Sequence, residues 1–177
     1  YYAYTEFIKK FDENPVELTD FSHFIIEDFL GSLYRVTNSN KLITYKDIID
    51  VYVPKAKSVL YNSADKKGKK GNIIEKSYEK EQQNKYGVFL GGDRPIIYIE
   101  SELDNDNSIL VIKDSYANAF IPFLTNHFRH LYVIDPRLWE GNLSDLVKGK
   151  GINNILFINY CLINRYQSYA ELLSKML

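Results

Sequence analysis

Hydrophobic residues are distributed in two ways along this chain. From residue 109 onward they come in short unbroken runs, Ile109–Ile112, Leu131–Ile134 and Ile155–Ile158. Each run is too short for a helix and is closed by polar residues, such as Asp135-Pro136, so each reads as a strand. The intervals are helical in character. Ala117–Leu124 reads as a buried helix, with Pro122 acceptable only in its first turn. Leu143–Lys148 is a short helix stopped by Gly149 and Gly151, and a last helix runs from about Arg165 to Leu177. Strands that are apolar throughout and alternate with helices predict a parallel sheet covered on both faces.

Residues 1 to about 100 are patterned differently. A helix over Tyr2–Phe11 places Tyr4, Phe7, Ile8 and Phe11 on one side, and Thr19-Asp20 followed by Phe21–Phe29 reads as a second short amphipathic stretch. Ser32–Thr37, Ile49–Tyr52 and Val59–Tyr61 read as strands separated by turn residues. The segment Asp65–Gly71 is a polar, glycine-punctuated tip, expected to be exposed and mobile. With 177 residues, 45% of them hydrophobic, the chain can bury one good core and is too short for two ordinary domains. The expectation is a single α/β domain over 1–177, with a β-rich insertion at about 30–100 and a parallel α/β core at about 105–177.

Charge and composition narrow the chemistry. The basic cluster at Lys66–Lys70 lacks an aromatic-interleaved basic stripe, and the chain balances 22 Lys+Arg against 23 Asp+Glu, which argues against nucleic acid. No apolar run approaches the ~20 residues of a membrane span. The single cysteine, Cys161, excludes an internal disulfide and a four-thiolate zinc site, and just past an apolar strand it reads as a buried free thiol. No metal or other cofactor is expected. Fifteen tyrosines and ten phenylalanines suit a surface that meets sugars or peptides, although burial with a satisfied hydroxyl is the commoner fate of tyrosine.

The segment with the most chemical content is Ile109–Tyr116, a buried-type strand running into Asp114-Ser115 and then a helix. At the carboxyl end of a central parallel strand, Ser115 stands where open α/β sheets place ligands and where a helix start offers N–H groups to an oxyanion. Asp and Ser are also common helix N-caps, so cap and nucleophile both stand as readings. An oxyanion hole needs preorganised donors, each worth roughly 3 kcal/mol. The Ser115 N–H is one, and Asn159, closing the neighbouring strand, is a second unless it is simply a turn residue. Gly91 and Gly92 read as a tight turn that could also bring backbone close to a ligand. The histidines are badly placed as bases. His127 is twelve positions past Ser115 along a helix, on the order of 18 Å away, and His130 precedes the next parallel strand at the same far end. His23, between Phe21-Ser22 and Phe24-Ile25, reads as a core or surface histidine.

Gly87–Pro95 (Gly-Val-Phe-Leu-Gly-Gly-Asp-Arg-Pro), Ile109–Leu124 with its Lys-Asp-Ser-Tyr step, and Val133–Arg137 resemble the DHHW family of bacterial envelope proteins. These are SGNH-hydrolase-like and similar to periplasmic alginate O-acetyltransferase proteins. The resemblance implies a flavodoxin-like three-layer α/β sandwich with a mostly parallel sheet, an extracellular or cell-envelope location, and Ser115 as nucleophile. Asp114, Tyr116, Asn118 and Asn159 are then expected on the oxyanion and substrate side. The family's triad Asp and His come from its Asp-His-His-Trp motif, upstream of a helix like the Tyr-Tyr-Ala-Tyr segment that opens this sequence. The expectation is therefore an N-terminally truncated domain that holds the nucleophile without its base and is inactive alone. Two function classes follow: a serine esterase or O-acyltransferase acting on a polysaccharide or peptidoglycan-type glycan, or a non-catalytic glycan-binding or surface interaction protein that keeps the fold.

Overall fold

The computed structural model describes Tyr1 to Leu177, apart from the side chain of Asn164. The chain opens with α1 (Tyr2–Ile8), extended by a 3-10 turn at Lys9–Phe11. The expected stripe is formed: Tyr4 and Ile8 are buried and Phe7 and Phe11 pack against the same core. There follow β1 (Ser22–Phe29), α2 (Gly31–Thr37), α3 (Asn40–Thr44) and β2 (Asp47–Val53). β1 and β2 pair antiparallel as a separate two-stranded ribbon.

Two expectations are corrected here. Phe21–Phe29 is mainly strand, because Ser22–Ile26 finds a ladder in Ile49–Val53; local apolar spacing did not reveal that partner. Ser32–Thr37 is helical despite its strand-favouring residues. It has no neighbouring strand to pair with, so its backbone groups are satisfied within the segment.

The remaining strands are β3 (Ser58–Tyr61), β4 (Lys70–Gly71), β5 (Ile96–Ser101), β6 (Ser108–Lys113), β7 (His130–Ile134) and β8 (Asn154–Ile158). They form one mixed sheet in the order β4-β3-β5-β7-β6-β8. β6 pairs parallel with both β7 and β8, whereas the β3–β4, β3–β5 and β5–β7 pairings are antiparallel. The expectation of a mostly parallel sheet is thus corrected to a mixed sheet whose parallel part is β7-β6-β8. Parallel neighbours need a crossover, usually helical. Only the segments after β6 supply one, through α4 (Ile121–Leu124) and α5 (Leu143–Lys150), the latter ending at a left-handed Gly151. Pro122 stands in the first turn of α4, where it costs no hydrogen bond.

Alternation along β6 divides the core. Ile109 and Val111 pack with α1, α4 and Phe21, while Leu110 and Ile112 pack with Leu143 of α5 and with Leu173 of α6 (Gln167–Ser174). Both faces of the sheet are therefore covered. β8, read as continuously apolar, is an edge strand instead: Leu156 and Ile158 pack on the core while Ile155 and Phe157 are about half exposed. Cys161, in the loop beyond this edge, is exposed rather than buried. Among the described residues no helix is long and apolar enough to cross a membrane.

Candidate active site

The carboxyl ends of β6, β7 and β8 share one edge of the sheet, and antiparallel β5 begins there, since Ile96 pairs with Ile134. Four turns distant in sequence thus converge. The one before β5 is tightly coiled: Leu90, Gly91 and Gly92 have φ of 60°, 69° and 87°. Glycine takes this left-handed region freely and leucine does so at a cost. The turn delivers Asp93 to the edge.

After β6 the backbone enters a 3-10 turn, Ser115–Ala119, capped by Asp114. The Asp114 carboxylate is buried and its two oxygens are separately engaged: Oδ1 accepts from the Tyr116 N–H at 3.0 Å, Oδ2 from the Tyr160 N–H at 2.7 Å. The capping role therefore falls to Asp114. Ser115 follows, half-buried, and its hydroxyl has no hydrogen-bond partner among the described residues. As the first residue of the turn, its N–H also lacks an acceptor within the turn.

Ser115, Tyr116 and Asn118 line an open cleft of about 450 Å³. Gly92, Asp93 and Arg137 form its neighbouring wall. Phe29, Ser32 and Arg35 from the ribbon and α2 close the other side together with Tyr86, whose hydroxyl donates to the Tyr116 carbonyl at 3.2 Å. Burial pushes the Tyr86 phenol up to about 12.

Beneath the cleft lies an ion network. Lys113, wholly buried, donates to Asp93 at 2.8 Å and lies 3.5 Å from Asp135. Arg137 donates to Asp93 at 2.9 Å and through Nε to Asp135 at 2.8 Å, and Asn118 Nδ2 donates to Asp93 at 2.9 Å. Burial alone would raise the Asp93 carboxyl, but hydrogen bonding and charge from Lys113, with Asn118 and Arg137 behind, hold it below the ordinary carboxylate value. Arg137 is pushed above its ordinary value, first by its hydrogen bond to Asp135. Two carboxylates and two cations thus leave the floor neutral. One acceptor is left over: Asn118 Oδ1 is buried without a partner among the described residues. An unpaired buried acceptor calls for a donor arriving from outside, and here the cleft is the open side.

Of the residues expected from sequence, the structure brings Asp114, Ser115, Tyr116 and Asn118 together. Asn159 sits one strand over, just past the Lys113–Ile158 pair, with Oδ1 accepting from the Tyr169 hydroxyl at 2.6 Å; it is not among the residues lining the cleft. None of the three histidines lines the cleft either. His127 is buried between Tyr4 and Glu13, His130 opens β7 at the opposite edge beside Tyr98, and His23 pairs with Asp50 on the ribbon. Asp93, Lys113 and Arg137 were not anticipated as site residues. Their signal was a lysine ending an otherwise apolar strand and an Asp-Pro-Arg step closing the next. Among the described residues no group of His, Cys, Asp and Glu converges as metal ligands do.

A serine freed of capping duty, at the carboxyl edge of parallel strands and on the wall of an aromatic cleft, marks an α/β protein with a candidate nucleophile site. The chain belongs to the DHHW family, whose model (DHHW protein) matches residues 1–134, a span that includes Asp93 and Ser115 and stops short of Arg137 and Asn159. A DHHW family protein from Eubacterium siraeum has a similar crystal structure, with TM-score 0.85 and 26% identity over 99% of this chain and 59% of that one. PatB1 of Bacillus cereus, solved with a sulfonyl adduct, is similar with TM-score 0.67 and 22% identity over 88% of this chain and 54% of that one. A further PatB1 structure has TM-score 0.60 and 25% identity, over 81% of this chain and 50% of that one. This chain thus spans little more than half the length of these proteins. No curated protein matches it significantly.

Proposed function

We propose that this protein is an SGNH-type serine esterase or O-acyltransferase acting on a cell-envelope glycan, with Ser115 as nucleophile. The observation that carries the reading is the division of labour at the β6 turn: Asp114 caps it, leaving the Ser115 hydroxyl unpartnered on the cleft wall. The finer fold assignment, an SGNH-like sandwich, is supported by helices on both sheet faces and by the likeness to PatB1. PatB1 carries a sulfonyl adduct, and sulfonylation is a reaction of activated nucleophiles.

In this reading Ser115 Oγ attacks the carbonyl carbon of an acyl donor while a base takes its proton. The tetrahedral oxyanion is held by the Ser115 N–H, the first of the turn and without an acceptor within it. Collapse expels the donor's alcohol, reprotonated by the base, and leaves acyl-Ser115. Water or a sugar hydroxyl then attacks, giving a free acid or an acylated glycan and restoring the serine. Asp114 acts here as the clamp of the turn, each of its oxygens accepting from a backbone N–H. With no histidine lining the cleft, the reading draws the base and its carboxylate from outside residues 1–177, as the family resemblance implies. A second reading, a glycan-binding protein without turnover, is favoured by that same absence of a histidine.

The deciding experiment is fluorophosphonate labelling of the full-length protein, with mass spectrometry to locate the adduct. Label on Ser115, lost in Ser115→Ala, is the expected result, and residues 1–177 alone should label no faster than their own Ser115→Ala variant. An unlabelled Ser115 in the full-length protein would overturn the enzymatic reading in favour of the binding one.

A further inference from the structure

Two tyrosines beside Ser115 are held in a way that their own burial does not explain. Tyr116 and Tyr160 stack with ring centroids 4.8 Å apart and planes 12° from parallel, yet Tyr116 is 66% exposed and Tyr160 39% exposed. The two residues come from different strand ends, one past β6 and one past β8, and a single buried group joins them. Asp114 takes the Tyr116 N–H on one oxygen and the Tyr160 N–H on the other. The Tyr116 carbonyl is fixed in turn by the Tyr86 hydroxyl. An exposed tyrosine on a loop normally samples several rotamers and keeps its ring wet; here the backbone is clamped on both sides and the ring is backed by a second ring. Neither phenol hydroxyl has a hydrogen-bond partner among the described residues.

We infer that Tyr116 is a stacking platform for a pyranose ring, backed by Tyr160 and held by the Asp114 clamp, on the wall of the cleft that holds Ser115. The inference deepens the proposed function, on which it rests for the choice of a sugar. A pyranose offers an apolar C–H face to a flat aromatic surface and hydroxyls at its edge to free phenols, which is the complement of what this pair presents. Tyr116 lines the cleft and Tyr160 does not, so the pair runs from the cleft wall outward. A unit bound over Tyr116 is then the neighbour of the unit whose hydroxyl meets Ser115. The site is built for an oligosaccharide rather than a single sugar. In this arrangement Tyr116 is the binding residue, and Tyr160 and Asp114 are positioning residues that act through it.

The test is calorimetric titration of the full-length protein with chitotetraose, cellotetraose and tetragalacturonate, and with the tripeptide Gly-Trp-Gly as a planar aromatic control. At least one oligosaccharide should bind. Tyr116→Ala should weaken it on the order of tenfold, the scale of one lost aromatic stack, whereas Tyr116→Phe should retain most of the affinity. Tyr160→Ala should weaken it several-fold and broaden the Tyr116 ring signals in NMR spectra, a change that a merely structural role for Tyr160 elsewhere would not produce. Tyr45→Ala, at an exposed tyrosine away from the cleft, should bind as the wild type does. Fluorophosphonate labelling of Ser115 in the same variants keeps the two readings apart, since it reports the nucleophile without any sugar bound. Labelling that persists while none of the three oligosaccharides binds overturns the platform and leaves the enzyme. Wild-type affinity in Tyr116→Ala, or tighter binding of the tripeptide than of every oligosaccharide, also overturns it.

Discussion

Lys113→Met is the substitution that measures what the floor of the site is worth. The methionine stem replaces the lysine stem at nearly equal length, so the change removes a charge and its hydrogen bonds from a fully buried position and little else. Breaking a buried ion pair by deleting one partner costs about 3–5 kcal/mol, most of it the uncompensated charge left behind. Here the loss is moderated twice. Arg137 still reaches both Asp93 and Asp135, and the Asp93 side chain is 28% exposed, so solvent takes up part of its charge. The expected cost is therefore at the low end, about 3 kcal/mol, which at roughly 2–4 °C per kcal/mol for a chain of this size lowers Tm by about 6–12 °C. Urea denaturation of Lys113→Met, Asp93→Asn and the double variant supplies the assay. In the double variant Arg137 and Asp135 remain as a balanced pair, so it should lose clearly less than the sum of the single losses. A Lys113→Met cost below about 1 kcal/mol, or additivity within about 0.5 kcal/mol, would refute the reasoning, since contacting charges in one network must couple.

Two further outcomes are expected away from the site. Tyr4→Phe removes the oxygen that accepts from the Val16 N–H at 2.9 Å and meets His127 Nε2 at 2.7 Å, so it should cost about 1–3 kcal/mol in urea denaturation; labelling of Ser115 in the full-length protein should not change, because His127 lies far from the cleft edge. His130 is held below its ordinary value of 6.5, first by burial and then by the charge of Arg129. A lowered native value means that its contribution to stability is present above pH 6.5 and lost as pH falls through the native value. The wild-type Tm should therefore drop more steeply between pH 7 and 5 than that of His130→Gln, and parallel curves would show that His130 carries no such contribution.

The parallel half of the fold could be read from the chain because its strands are buried on both faces and so announce themselves as unbroken apolar runs. Ile109–Ile112 and Leu131–Ile134 are of this kind, and the structure places them at β6 and β7. Where burial is one-sided the signal weakened. Only Ile26 of β1 is buried, and the segment reads as an amphipathic stretch because its pairing with β2 is a tertiary fact. β5, whose Ile97, Tyr98 and Ile99 are buried, is not among the strands the pattern predicts. At the site, Ser115 was visible through its place after a strand, whereas Asp93 was not. A carboxylate becomes a site residue only when the topology gives it Lys113 and Arg137 as neighbours.

That topology explains why the mixed sheet matters to the site. β5 runs against β7, so its first residue, not its last, lies at the edge where β6 and β7 end. Were β5 parallel to its neighbour, the turn carrying Asp93 would stand at the opposite edge, about 20 Å away at 3.3 Å per residue over its six residues. Lys113 and Arg137 would then share Asp135 alone, and the floor beneath Ser115 would hold one buried positive charge in excess. Asn118 would lose its carboxylate as well, and the 3-10 turn that presents Ser115 would lose the anchor at its fourth residue. The antiparallel strand is therefore a condition of the site. It brings in the second carboxylate that makes a fully buried lysine tolerable one residue before the Asp-Ser step, and through Asn118 it fixes the turn on which the serine is offered to the cleft.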